Sequence, residues 1–305
     1  MFSFEVVLYL SLGGLGGGLS VVAGIAGFSI PRQFLIRDSL REYLDLMRSA
    51  FVFAAAFLLL GSLFLLADSG NHRALVHLFF SPNLSYLSIG AWAILVNMVL
   101  CLVLILLWRT GAKKQNPFVS RTLHGGAVVA GLVVALYTGL FLASMKAVPL
   151  WNTGWLPALF VLSSLSCGIV IFLALIQANN LVATFSSFMR LLAKVDIIVV
   201  LLELLCAAMM VIVLVTRTID GPTSAAGVAS ALDMVSGKYA WVWWAGLVGL
   251  GIVATLLFDV LVLQNKNNRH GRIWSTLGVS FCAVIGAFSL RLCVVAAGAH
   301  PALEF

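Results

Sequence analysis

A chain of 305 residues that is 62% hydrophobic and only 10% charged, with a mean hydropathy of +1.11, does not fold as a water-soluble globule. Its net charge of +7 would suggest nucleic acid in a polar protein. Here the basic residues sit in short runs between apolar segments, the pattern that orients a membrane protein, so nucleic acid is excluded as a partner.

A helix needs about 20 apolar residues to cross the hydrocarbon core. In chain order the sequence offers runs near 5–29, 50–67, 86–107, 123–145, 156–178, 195–216, 241–263 and 273–298. The first run has no basic residue before it and no small-residue cleavage site after it, which predicts a retained span and not a signal peptide. Its "GGLGGG" (13–18) follows no strand and does not fit GxGxxG. It reads as a close-packing surface, with Gly13 and Gly17, and Gly14 and Gly18, each four apart. The second run stops at Asp68 in "LFLLADSGNHR" (63–73), an acid at the edge of lipid. The connection at 217–240 is polar and bears Gly and Ser, and it is long enough for a short surface helix. The whole sequence, 1–305, reads as one polytopic domain.

The seven connections differ in charge. The odd ones carry 13 basic residues, the even ones only Arg73, Lys146, Arg217 and Lys238, and Arg291 lies within the eighth span. By the positive-inside rule both termini are extracytoplasmic. Trp151, Trp155, Trp241, Trp243 and Trp244 are then expected at the outer interface, with Trp108 and Trp274 at the inner one.

Ionisable residues within spans cost about 2.5–3.5 kcal/mol each on insertion scales, so each is a functional candidate facing the protein interior. Asp196 and Glu203 are seven apart, on one helix face, and with Asp259 they are candidates for a proton path. The alternative for Asp196 and Asp259 is pairing with Lys194 or Lys266 at the inner interface. A guanidinium cannot shed its proton, so Arg291 needs a carboxylate, a carbonyl or a polar ligand at its depth. Asp68 stands at a similar height, and the two are expected to flank one polar pocket near the outer surface.

Cys101, Cys167, Cys206, Cys282 and Cys293 each stand alone in an apolar run, which argues for packing over iron–sulfur, zinc or disulfide roles. His72, His77 and His300 fall outside the spans, His270 in an inner connection and His124 at an inner span end, so no axial pair for haem can be drawn. Nothing has the spacing of a metal site or a hydrolase triad.

"GSLFLLADSGNHRALVHLFFSPNLSYLSIGAW" (61–92), with its acid-x-Gly-x-x-Arg and Pro-Asn-x-Ser elements, resembles the second-to-third span junction of the NrfD/PsrC family of membrane oxidoreductase subunits. "YTGLFLASMKAVPLWNTGWLPALFVLSSLSCG" (137–168) resembles that family's fourth-to-fifth junction, and the glycine-rich first span and "LRLCVVAAG" (290–298) fit its ends. The resemblance implies exchange of electrons between menaquinone or ubiquinone and an extracytoplasmic 4Fe-4S subunit serving a molybdopterin enzyme or a multihaem cytochrome. It implies no haem, iron–sulfur cluster or metal in this chain. Tyr9 and Tyr137 match the family's quinone-facing positions and Asp68 its second-span acid, although some relatives carry His where Tyr9 stands. Together with Arg291 these are the expected quinone-binding residues, with Asp68 and Tyr137 as the catalytic pair. Arg73 is expected to contact the partner subunit.

The expected fold is therefore an all-α membrane protein of eight spans, arranged as two four-helix bundles in a prokaryotic inner membrane. The competing function is a secondary transporter or channel, since buried charges also mark ion paths. Against it, the spans show no inverted repeat and no matched pair of Pro-interrupted helices.

Overall fold

The computed structural model describes residues 4–29, 37–68, 86–109, 117–182, 184–216, 222–264 and 269–298. There is no strand among them, and eight helices are long and apolar enough to cross a membrane. Lipid offers the backbone no hydrogen bonds, so an apolar run must satisfy its own N–H and C=O groups, and helices do so within one segment. The spans are α1 (Phe4–Ser29), α2 (Arg37–Asp68), α3 (Tyr86–Arg109), α4 (Pro117–Ala143), α5 (Trp155–Ala178), α6 (Ser186–Thr216), α8 (Val242–Gln264) and α9 (Arg269–Gly298). The short α7 (Pro222–Val235) meets the expectation of a helix between 217 and 240.

Two helices begin well before their apolar runs. In α2 the added turns are amphipathic: Tyr43, Leu46 and Met47 are buried while Glu42, Asp45 and Arg48 are exposed, the 3–4 spacing of a helix with one face on the protein. The start of α6 is built likewise, with Met189, Leu192 and Ala193 inside and Arg190 and Lys194 outside. Thr184, just before α6, donates to the Glu42 carboxylate at 3.1 Å and ties the two extensions together. At the end of α5, Asn180 takes φ 57°, with Leu181 N–H bonded to the Ile176 carbonyl and Asn180 N–H to that of Gln177. That left-handed turn caps the last carbonyls, and asparagine tolerates it better than most residues.

The expected two bundles are present. Helices α1 to α4 form one, with α1 and α3 each packed on α2 and α4; α5, α6, α8 and α9 form the other, with α5 and α8 each packed on α6 and α9. The two meet mainly along α1 and α5. α1 is buried almost throughout, whereas most of α2, α3, α6 and α8 faces outward.

The glycines of α1 explain its place on the axis. A Cβ at Gly17 would lie 2.8 Å from the Gly131 carbonyl of α4, and one at Gly16 would lie 2.7 Å from Leu58 of α2. One at Gly18 would overlap the Ser164 carbonyl of α5, and one at Gly14 would overlap the guanidinium of Arg291. The expected pairs, Gly13 with Gly17 and Gly14 with Gly18, thus serve different neighbours.

The first part of α8, Val242–Ala254, is wound as a π-helix. Its i→i+5 ladder turns less per residue than an α-helix, which lets Gly246 and Gly251, five apart, both face α9. A Cβ at Gly246 would overlap the Ser289 hydroxyl, and one at Gly251 would lie 2.9 Å from Gly286 Cα.

Some tryptophans depart from expectation. Trp151 and Trp243 are buried against the protein and do not face outward, while Trp241 and Trp244 are exposed. Burial of Trp151 is tolerated because its indole N–H donates to the Val294 carbonyl at 2.8 Å. Trp108, expected at the inner interface, is also buried, edge-on to Tyr43 and to His124.

Candidate functional site

Three of the expected site residues converge at one end of the first bundle. Tyr9 comes from the first turns of α1, Tyr137 from the last turns of α4, and Asp68 ends α2. Antiparallel packing of consecutive spans brings those ends to one level. The ring of Tyr137 lies over Gly90 of α3, where any Cβ would overlap it. Phe141, one turn on, flanks the ring at 6.2 Å.

The hydroxyls of Tyr9 and Tyr137 lie within interaction range of each other, and the Asp68 carboxyl acts on Tyr9. Both phenols are buried, yet neither hydroxyl has a hydrogen-bond partner with acceptable geometry among the described residues. Buried polar atoms are paired in most proteins, and two facing hydroxyls can at most share one bond between them, which leaves one O–H over and marks a place where a polar guest fits. Asp68 itself is exposed, at the rim of this group.

Arg291 is held by groups other than Asp68. It is 1% exposed, and its guanidinium donates from Nε to the Leu10 carbonyl at 3.2 Å, from Nη1 to the Ala287 carbonyl at 2.9 Å and from Nη2 to Ser164 Oγ at 2.9 Å. It also lies 5.0 Å above the ring of Phe160. The expected polar partners are therefore found, but they come from α1, α5 and α9, across the seam between the bundles. The link to the tyrosine pair is one residue long, since Leu10 follows Tyr9.

Beyond Arg291 the second bundle holds a file of buried acids. Glu203 is within electrostatic reach of Arg291 and is held by Ser163. Further along α6, Asp196 faces Asp259 of α8 and the hydroxyl of Ser166. Asp196 and Asp259 are both fully buried, whereas Lys194 is exposed, so the alternative of pairing with Lys194 does not hold. Lys266 lies outside the described residues, as do Arg73 and the Pro-Asn-x-Ser element.

Sequence reasoning missed the residues that serve these groups. Ser163, Ser164 and Ser166 of α5 each face an ionisable side chain, and the polar cluster "SSLSC" inside an apolar span was the available signal. It also missed a polar network in the first bundle, in which Ser20 meets Cys101 at 3.4 Å and Cys101 meets Asn97 at 3.9 Å. At the far end His124 is enclosed by Phe28, Phe51 and Trp108, with Nδ1 donating to the Ser120 carbonyl at 2.7 Å. No group of three or more His, Cys, Asp or Glu is placed to hold a metal among the described residues.

These features define a class, a multi-pass helical membrane protein with polar groups buried in both of its bundles. The chain belongs to the family described as polysulphide reductase, NrfD, whose model matches residues 1–301. It is similar to protein NrfD of Escherichia coli K12, at 24% identity over 98% of this sequence and 95% of that protein. It is also similar to the C subunit of the polysulfide reductase of Wolinella succinogenes, at 22% identity over 98% of this sequence and 94% of that one. An NrfD homolog of Haemophilus influenzae is 29% identical over 56% of this sequence and 50% of its own length.

Proposed function

We propose that this protein is the quinone-reactive membrane subunit of a multi-subunit oxidoreductase in a prokaryotic inner membrane. It exchanges electrons between the menaquinone or ubiquinone pool and an extracytoplasmic ferredoxin-like 4Fe-4S subunit, and through that with a molybdopterin enzyme or a multihaem cytochrome. Family membership supports the general part, since one relative is named as a component of a reductase. The observation that carries the finer part is the convergence of Tyr9 and Tyr137, both buried and unsatisfied, with Asp68 at the rim.

A quinol that gives up two electrons also releases two protons. Phenolic hydroxyls suit a ring oxygen because each both donates and accepts. In this reading Tyr137, fixed over Gly90, and Tyr9 hold the ring oxygen, and Asp68 passes protons to the water outside. The electrons leave to the partner subunit. Arg291 fixes α1 beside the site through the Leu10 carbonyl and does not itself contact the ring.

The test is turnover with a quinol analogue in the assembled complex. Tyr137→Phe and Asp68→Asn are each expected to lower it roughly a hundredfold, the usual worth of a positioned acid or base, without loss of the partner subunit. Wild-type turnover in both variants would refute the assignment.

A further inference from the structure

The acid pair of the second bundle points to a second site, apart from the tyrosines. Asp196 and Asp259 are both fully buried and face each other, and beyond each other and Ser166 their four carboxyl oxygens find no hydrogen-bond partner among the described residues. Thr255 is also fully buried with its hydroxyl unsatisfied, one turn before Asp259 on α8. A helical side chain leans toward the N-terminus of its helix, so Asp259 leans over the turn that carries Thr255. The Ser166 hydroxyl completes the group from α5. Thr255 is also the first residue after the π-wound segment of α8, and such irregular windings recur at functional sites.

Two carboxyl groups enclosed in protein must either take up protons or have positive charge beside them. The ionisable groups acting on Asp196 are Asp259 and Glu203, and on Asp259 it is Asp196, so no cationic side chain among the described residues supplies it. Arg291 is committed to Leu10, Ala287, Ser164 and Glu203, and Lys194 is exposed. A single shared proton, with Ser166 serving a further oxygen of Asp196, would still leave an oxygen of Asp259 and the Thr255 hydroxyl unserved. An all-oxygen set of two carboxylates and two hydroxyls instead suits a hard metal cation. Magnesium keeps its waters and calcium takes six to eight oxygens, which disfavours both in so enclosed a site.

We propose that Asp196, Asp259, Ser166 and Thr255 form a sodium site between α5, α6 and α8, at which protons compete with the metal. A ligand that binds only the folded protein raises its melting temperature by mass action. The experiment is thermal unfolding of the purified full-length protein in detergent, with sodium chloride titrated against choline chloride at constant ionic strength. The melting temperature is expected to rise by a few degrees and saturate with sodium, and the half-saturating concentration to increase from pH 8 to pH 6. Thr255→Val, close in shape, is expected to weaken the response roughly tenfold, and Asp259→Asn to abolish it. Tyr137→Phe is expected to keep the response, which separates this site from the quinone reading. Identical melting of the wild type in sodium and choline would overturn the proposal. So would a response to calcium without one to sodium, or stabilisation by acid alone, the last returning the pair to proton relay.

Discussion

Arg291 is heavily committed, and the reason lies in its chemistry. Its donors radiate in a plane, and three of them reach α1, α5 and its own helix, with Glu203 within electrostatic reach. Lysine offers one nitrogen on a flexible stem and cannot span those partners. Arg291→Met is expected to leave Glu203 buried without its counter-charge and to cost roughly 3 kcal/mol or more. Arg291→Lys is expected to recover only part of that loss, with the thermal midpoint of the detergent-solubilised protein as the readout. Equal midpoints for the methionine variant and the wild type would refute this role. At this scale the sequence was readable where lipid makes polarity expensive: Asp196, Glu203, Asp259 and Arg291 all proved to be inside. It was not readable for partners. Which carbonyl meets Arg291 depends on how two bundles lean together, and Leu10 looks in sequence like any span leucine.

Among the elements, α1 shows most directly how composition becomes packing. Gly18→Ala would put a methyl group into the backbone of α5 at Ser164, which cannot step aside as a side-chain tip can. Overpacking of that kind typically costs about 1–3 kcal/mol. At Gly278 in α9 an added Cβ would meet nothing within 4 Å, and Gly278→Ala is expected to be neutral or slightly stabilising. Thermal unfolding of the two variants side by side tests the argument, and equal midpoints would refute it. The glycine spacing of α1 was legible because small residues four apart have one main use in a membrane helix. The early starts of α2 and α6 were not, because a hydropathy window stops at Arg48 and Lys194 although the helical periodicity continues through them. The π-winding of α8 had no signal beyond the glycines at 246 and 251, whose five-residue spacing makes sense only after the winding is known.

For the whole molecule, the charge asymmetry of the connections makes a prediction of orientation. Single cysteines added next to the N- or C-terminus of a variant lacking the native five are expected to react with an impermeant maleimide in intact cells, and a cysteine between α3 and α4 only after lysis. The reverse pattern would invert the topology and move the tyrosine pair to the cytoplasmic side. The two bundles also bear on how the protein is assembled. α1 is made before α5 and α9, yet two of its glycines are shaped for α5 and for a side chain of α9, which leave the ribosome much later. Until then those notches face lipid, where they gain nothing. α1 must therefore wait, and its seat closes only once α9 has been made and Arg291 reaches back to Leu10.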